Sequence, residues 1–387
     1  MFKTIGNKQL VKLFKHMLRI FLFLKIPIDS VLRNIAFYHF SGGENIRDCK
    51  KTISDLYHNG SVFSILSYSV EKKSDGKNFD ETLKAAIAMI ACSNHSPFIP
   101  FIVIKPSSLG CCNIYQKIAG HSTLNDKENK EWLKIQYRFD TICTEADKTD
   151  RVRIMVDAEE SWIQNGVDVL VKEMMRRYNT ERVVIFNTVQ MYRWDRLQYL
   201  RSLRLMAKEE NFKVGVKLVR GSYMEKERSR AKAKGYQSPI CITKERTDAN
   251  FNAALRYCIH YIGTFELFSG THNEKSVKLM IDLMDEYQIA DNDLRIWFGQ
   301  LLGMGDHISF NLAANGFNVA KCVPYGPVKE VIPYLLRRAN ENVSMKSQIS
   351  RELRLILAEI KRRKTDFASS VPVKVYGEIG NENNFLD

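Results

Sequence analysis

Lys217 and Arg220 lie inside and at the end of a short apolar run, Val214, Val216, Leu218 and Val219, that Gly221 stops. The run reads as a buried strand. A cation in such a strand is costly unless an anion meets it, so Arg220 is a candidate contact for an anionic ligand or cofactor. Groups of matching chemistry recur at the ends of further apolar runs: Lys105; Asp157, Ala158 and Glu159; Gln190 and Tyr192; Thr271, His272, Asn273 and Glu274; Gln300; and Tyr325 with Gly326. A single polar strand end means little, but seven of eight such ends describe a polar-lined mouth. Lys105 and Asp157 are expected to pair across its rim. Arg337 and Arg338 diverge by about 100° on a helix, and Glu341, one turn beyond Arg337, is spaced to orient its guanidinium. Such arginines would hold a small anionic substrate. The blander alternatives are an Arg220 that faces solvent and an Arg337–Glu341 surface bridge worth little.

Positioning these groups requires a repeated strand–helix frame. Apolar runs of strand length occur at Val62–Val70, Phe98–Ile104, Arg153–Val156, Val183–Val189, Val214–Val219, Phe265–Phe268, Leu294–Phe298 and Val319–Val323. Helical patterns separate them, as in parallel α/β proteins. Eight units match a (βα)8 barrel, in which chemistry sits at the carboxyl ends of the strands. The competing open, doubly wound sheet lacks its glycine-rich turn after the first strand.

The 387-residue chain is 45% hydrophobic and 26% charged, an ordinary globular composition, with a net charge of +14 that favours anionic partners. Eight cysteines without a CxxC pair indicate neither a zinc site nor a disulfide framework. Residues 1–60 read as a basic helical arm. The first 28 contain no acid, and Lys3, Lys8, Lys12, Lys15, Arg19 and Lys25 interleave with apolar residues. The five apolar residues between Arg19 and Lys25 are far short of the roughly 20 that span a bilayer. The arm suits a membrane surface, a mitochondrial presequence, or a helix docked on its own domain. Residues 61–365 form the expected barrel and 366–387 a loose tail.

Lys217-Leu218-Val219-Arg220-Gly221-Ser222-Tyr223 resembles the KLVRGAY motif of proline dehydrogenases. Asp157-Ala158-Glu159-Glu160 is similar to that family's DAEE strand end, Val189-Gln190-Met191-Tyr192 to its VQ-x-Y, and Thr271-His272-Asn273 to its THN. Gly299–Met304, Val323–Gly326 and Tyr334–Asn342 resemble its Q-L-x-GM, VPYG and YLxRRxxEN segments. The motifs follow family order from about Lys105 to Asn342. The resemblance implies a distorted (βα)8 barrel that binds FAD and oxidises L-proline to 1-pyrroline-5-carboxylate, with electrons passing to membrane quinone. It implies FAD contacts at Asp157, Ala158, Gln190, Lys217, Arg220, Gly221, Ser222, Lys244, Thr271, His272, Asn273 and Gln300. It also implies that Arg337 and Arg338 grip the proline carboxylate, Glu341 buttresses them, Lys105 and Asp157 help close the site, and Tyr223 packs near the ring. No metal is called for.

Cys322 stands where many members carry a substrate-lining tyrosine that disfavours a ring hydroxyl. A shorter side chain there opens the alternative of hydroxyproline oxidation. The other alternative, a basic membrane- or nucleic-acid-binding protein, has only the charge behind it and no nucleic-acid motif. No aldehyde dehydrogenase module follows the barrel, which implies a monofunctional enzyme. The expected location is cytoplasmic and peripheral on the inner membrane, or the mitochondrial inner membrane or matrix.

Overall fold

The computed structural model describes residues 37–69, 77–328, 330, 331 and 334. The basic arm before residue 37, the last helix, the tail, and Arg337, Arg338 and Glu341 lie outside the described residues.

Eight parallel strands close into a barrel in chain order. They are β1 Phe63–Tyr68, β2 Phe101–Ile104, β3 Arg153–Val156, β4 Ile185–Gln190, β5 Val214–Val219, β6 Phe265–Gly270, β7 Ile296–Leu301 and β8 Val319–Tyr325. The helices are α1 Ile46–Gly60, α2 Lys77–Asn94, α3 Cys112–Ala119, α4 Asp126–Asp147, α5 Ser161–Tyr178, α6 Arg196–Glu209, α7 Met224–Lys234, α8 Lys244–His260, α9 Glu274–Glu286 and α10 Asp306–Ala314. Asn45 and Asp48 form a capping box at the start of α1, as Asn125 and Glu128 do for α4, satisfying amide groups that the first turn leaves unpaired. Residues 41–43 are clipped to the end of β8. Gly42 N–H donates to Pro324 O at 2.9 Å and Gly326 N–H to Gly43 O at 3.1 Å.

Alternation along each strand divides the barrel into two faces. On β5, Val214, Val216 and Leu218 join the core between sheet and helices, which leaves Gly215, Lys217 and Val219 on the lumen. The inner cluster holds Phe101, Phe186, Phe268 and Trp297, with Phe63 packed against it. Their rings meet edge to face at 5.1–5.6 Å, each such pair adding about 0.5–1.5 kcal/mol beyond burial. Lumen glycines make the room: a Cβ on Gly299 would lie 2.1 Å from the Phe268 ring. This aromatic plug fills the lower lumen and leaves the polar positions to the carboxyl-terminal half.

Several strands start later than the sequence expectation: β2 begins at Phe101, not Phe98, and β4 at Ile185, not Val183. β7 starts at Ile296, not Leu294. The Asp293 side chain takes the Arg295 N–H at 2.9 Å and its carbonyl takes that of Ile296 at 2.9 Å. That turn leaves Leu294 exposed.

Candidate active site

The motif at the end of β3 supplies three carboxylates, each with its own partner. Asp157 accepts from Lys217 Nζ at 2.5 Å, across the lumen from β5. Lys217, the cation within β5, thus finds its anion at the end of β3. The Lys217 side chain is 12% exposed and that of Asp157 31%, so Lys217 is the more dependent on the contact. Lys105 leads into a 3-10 turn at Pro106–Ser108, and Ala158 is half-buried beside Asp157. Glu159 is buried and receives the Ser107 N–H at 2.8 Å and the Ser107 hydroxyl at 2.6 Å. Burial pushes its carboxyl above the usual value, while the Ser107 bonds and the nearby Lys105 charge oppose the shift. Glu160 binds Lys226.

Arg220 begins a second cluster. Its Nε donates to Asp248 at 2.6 Å, and its two terminal nitrogens donate to the Thr271 and Ser276 hydroxyls at 2.7 and 3.0 Å. Its guanidinium lies over the Phe251 ring at 4.4 Å. Burial raises the Asp248 carboxyl, but Lys244 and Arg220 together hold it below the usual range. Lys244 bonds Asp248 from an exposed position one helical turn away. Thr271 also takes the Asn273 N–H at 3.1 Å, and Asn273 caps α9 through the Ser276 N–H at 3.1 Å. Gln300 is committed at both ends of its amide: Nε2 donates to Thr271 O at 3.1 Å, and Oε1 accepts from Ser309 at 2.8 Å. Gly305 lies against His272, so that a Cβ there would be 2.8 Å from Nδ1.

Gln190 differs from Gln300. It is 2% exposed, and its side-chain carbonyl oxygen has no hydrogen-bond partner among the described residues. A buried acceptor without a donor costs about 1–3 kcal/mol, so this oxygen is open to a donor from outside the chain, a water or a bound ligand. Gly221, at φ +123°, turns the chain beneath Tyr192, whose ring would be 2.6 Å from any Cβ. Ser222 is exposed and Tyr223 half-buried at the start of α7. Cys322 pairs with Ile65 and Leu301 across neighbouring strands and shares their pleat, which puts it on the lumen face above Ala320.

Sequence reasoning missed several supports. Asp248, Phe251 and Ser276, which cage Arg220, come from two helices and carry no local signal. Lys321 is completely buried and binds Met304 O at 2.7 Å, Leu301 O at 3.3 Å and Asp306 at 2.7 Å, fastening the turn before α10. A lysine within an apolar strand, the signal that singled out Lys217, would have found it.

A closed parallel barrel with paired charges at the carboxyl ends of its strands defines a (βα)8 protein, and those ends are where barrels of this kind carry their chemistry. The chain belongs to the proline dehydrogenase family, whose model matches residues 49–351. It is 36% identical over 334 residues to the carbapenem antibiotics biosynthesis protein CarD of Pectobacterium carotovorum subsp. carotovorum, covering 86% of this chain and 85% of that one. It is 40% identical over 252 residues to the mitochondrial proline dehydrogenase 1 of Drosophila melanogaster, covering 62% of this chain but only 37% of that relative. Among solved structures, proline utilization A from Bdellovibrio bacteriovorus, inactivated by N-propargylglycine, superposes with a TM-score of 0.71 at 17% identity. That match covers 80% of this chain and 32% of that one; it bears on the fold alone.

Proposed function

We propose that the protein oxidises L-proline to 1-pyrroline-5-carboxylate with FAD as the resident oxidant and membrane quinone as the final acceptor. Family membership points to this reaction, and the observation that carries it is the charged mouth, with Lys217 on Asp157 at 2.5 Å beside the caged Arg220.

The residues present fit a flavin on chemical grounds. The buried, unpartnered Gln190 oxygen is the complement of a ring N–H donor, and Lys217 and Arg220 supply the positive charge that a group gaining electrons requires. The proposed holders are Gln190, Lys217, Arg220, Gly221, Ser222, Lys244, Thr271, His272, Asn273 and Gln300, with Asp157 and Ala158 at the β3 edge. Arg220, Thr271, Asn273 and Gln300 already bond one another or their helices. Their contribution is a preset wall whose donors need no rearrangement. When bound, FAD supplies the acceptor for the hydride from the ring carbon beside nitrogen. The chain's own residues then have the task of orienting the imino acid. Arg337 and Arg338 hold its carboxylate, Glu341 supports them, Lys105 and Asp157 close the rim, and Tyr223 packs alongside.

The chain's division into an arm over 1–60, a barrel over 61–365 and a tail is proposed with this reading. So are peripheral membrane contact and a site at the bacterial inner membrane or in mitochondria. Among the described residues no helix is long and apolar enough to cross a membrane. A second reading, hydroxyproline oxidation, draws on the lumen position of Cys322.

Anaerobic titration with L-proline, and in parallel with trans-4-hydroxy-L-proline, tests both readings through the oxidised flavin absorbance. Bleaching at lower proline concentration is expected, and the reverse order moves the assignment to hydroxyproline. A protein that binds FAD and is bleached by neither loses the substrate assignment. One that cannot be reconstituted with FAD loses both.

A further inference from the structure

Two buried side-chain oxygens on the lumen face of β4 have no hydrogen-bond partner among the described residues. One is Gln190 Oε1, and the other is Thr188 Oγ1, one rung below it. Thr188 is 4% exposed. Its place on the lumen follows from the alternation of side chains along a strand. Phe186, two residues earlier, belongs to the aromatic plug. Asn187 points the other way and donates to Asp168 on α5 and to Tyr199 on α6, at 2.8 Å each. The other strand residues with an unpartnered oxygen do not share this position. Ser64 and Ser269 sit next to plug residues in sequence and so face the helices, and Glu266 lies at the opposite end of the barrel, with Arg153.

Thr188 has a charge on either side and bonds neither. It is level with Lys217 on β5, and Asp157 comes one residue after Val156, which is level with Asn187 on β4. The Lys217–Asp157 pair at 2.5 Å therefore spans β4 at the height of Thr188, and the hydroxyl stays outside it. Phe186 and the rest of the plug close the lumen on the other side. A buried hydroxyl in this position gives up free energy that a bound group would return.

The two oxygens also restrict what that group can be. The Gln190 oxygen only accepts, whereas the Thr188 hydroxyl can donate as well. A cyclic imide edge, an N–H beside a carbonyl, answers both, and the ring N–H of a flavin lies on such an edge.

We propose that Thr188 is a second hydrogen-bonding group for the flavin, its hydroxyl donating to a ring carbonyl while Gln190 accepts from the neighbouring ring N–H. The assignment rests on the flavin reading of the mouth and adds to it a residue just outside the Val189-Gln190-Met191-Tyr192 motif.

The full chain, freed of flavin and titrated with FAD, gives the affinity through the change in flavin fluorescence. Thr188→Val removes the hydroxyl and keeps the branched shape. It should weaken FAD binding about three- to tenfold. The carbonyl stretching band of the bound flavin should move to higher frequency, as it does when a carbonyl loses a donor. Without flavin, Thr188→Val should unfold at the same urea concentration as wild type or a higher one, because a hydroxyl without a partner has been removed. Thr188→Ser keeps the donor and should bind FAD within about twofold of wild type. A Thr188→Val chain that binds FAD as tightly as wild type, or an unmoved carbonyl band, overturns the proposal and leaves the flavin reading intact. A lowered urea midpoint for flavin-free Thr188→Val also overturns it, because the hydroxyl would then be bonded within the chain or to a held water. A wild-type chain that takes up no FAD fails the flavin reading itself, and this assignment with it.

Discussion

Removing one partner of the Lys217–Asp157 pair should cost more from the Asp157 side than from the Lys217 side. Losing one partner of a fully buried ion pair costs about 3–5 kcal/mol, whereas exposed pairs contribute up to about 1 kcal/mol. This pair lies between, with Lys217 12% and Asp157 31% exposed. Asp157→Asn strands an ammonium group that barely reaches water, for a loss of about 2–3 kcal/mol. Lys217→Met leaves a carboxylate nearly a third open to solvent, so its loss should be about 1–2 kcal/mol after allowing for that solvation. The double variant has no stranded charge and should lose less than the sum of the two, with a coupling of about 1–2 kcal/mol in a double-mutant cycle. Urea unfolding gives the three stabilities, and kcat/KM for proline gives the functional cost. Activity should not recover in the double variant, because neither charge remains in the mouth. Additive effects within about 0.3 kcal/mol, or an Asp157→Asn loss below that of Lys217→Met, would refute the argument from burial.

Gly221→Ala forces a side chain onto φ +123° and against the Tyr192 ring at 2.6 Å; strain and overpacking together predict a loss of about 2–5 kcal/mol, readable as a lowered urea midpoint. Glu266 pairs with Arg153 at 3.4 Å at the opposite end of the barrel, yet burial outweighs that charge and raises its carboxyl above the usual 4.5. The folded protein therefore holds this proton more tightly than the unfolded chain. The group's contribution to stability is full below the unfolded value and is lost as pH rises through the folded one. Glu266→Gln should flatten the part of the stability–pH curve that lies above the ordinary carboxylate value of 4.5, and an unchanged slope there in urea titrations would count against it. Cys322→Tyr should raise the preference for proline over hydroxyproline by about 10–200-fold if the lumen position shapes the pocket, measured as the ratio of the two kcat/KM values.

The (βα)8 architecture was legible in the sequence because it depends on local periodicity. Runs such as Val214–Val219 alternate between core and lumen, and eight of them separated by helical patterns close in one way. The strand ends were legible for the same reason, since Asp157, Gln190 and Arg220 each directly follow a valine that closes an apolar run. Even the need for an anion at Lys217 followed from a cation among valines. What the sequence could not assign was the partner. Asp157 was expected to pair with Lys105, and nothing in the spacing pointed to Lys217, which reaches it from two strands away on β5. Convergence across a lumen depends on barrel curvature and side-chain reach, neither of which leaves a trace in spacing. Gln190 and Gln300 look alike as strand-end amides, and only packing separates them: Ser309 and the Thr271 carbonyl occupy one, while the oxygen of the other is left without a donor. The cage of Asp248, Phe251 and Ser276 around Arg220 is also tertiary, because its members come together only when α8 and α9 dock on β5 and β6. Local chemistry was written in the order of residues, and the pairings were decided by closure of the barrel.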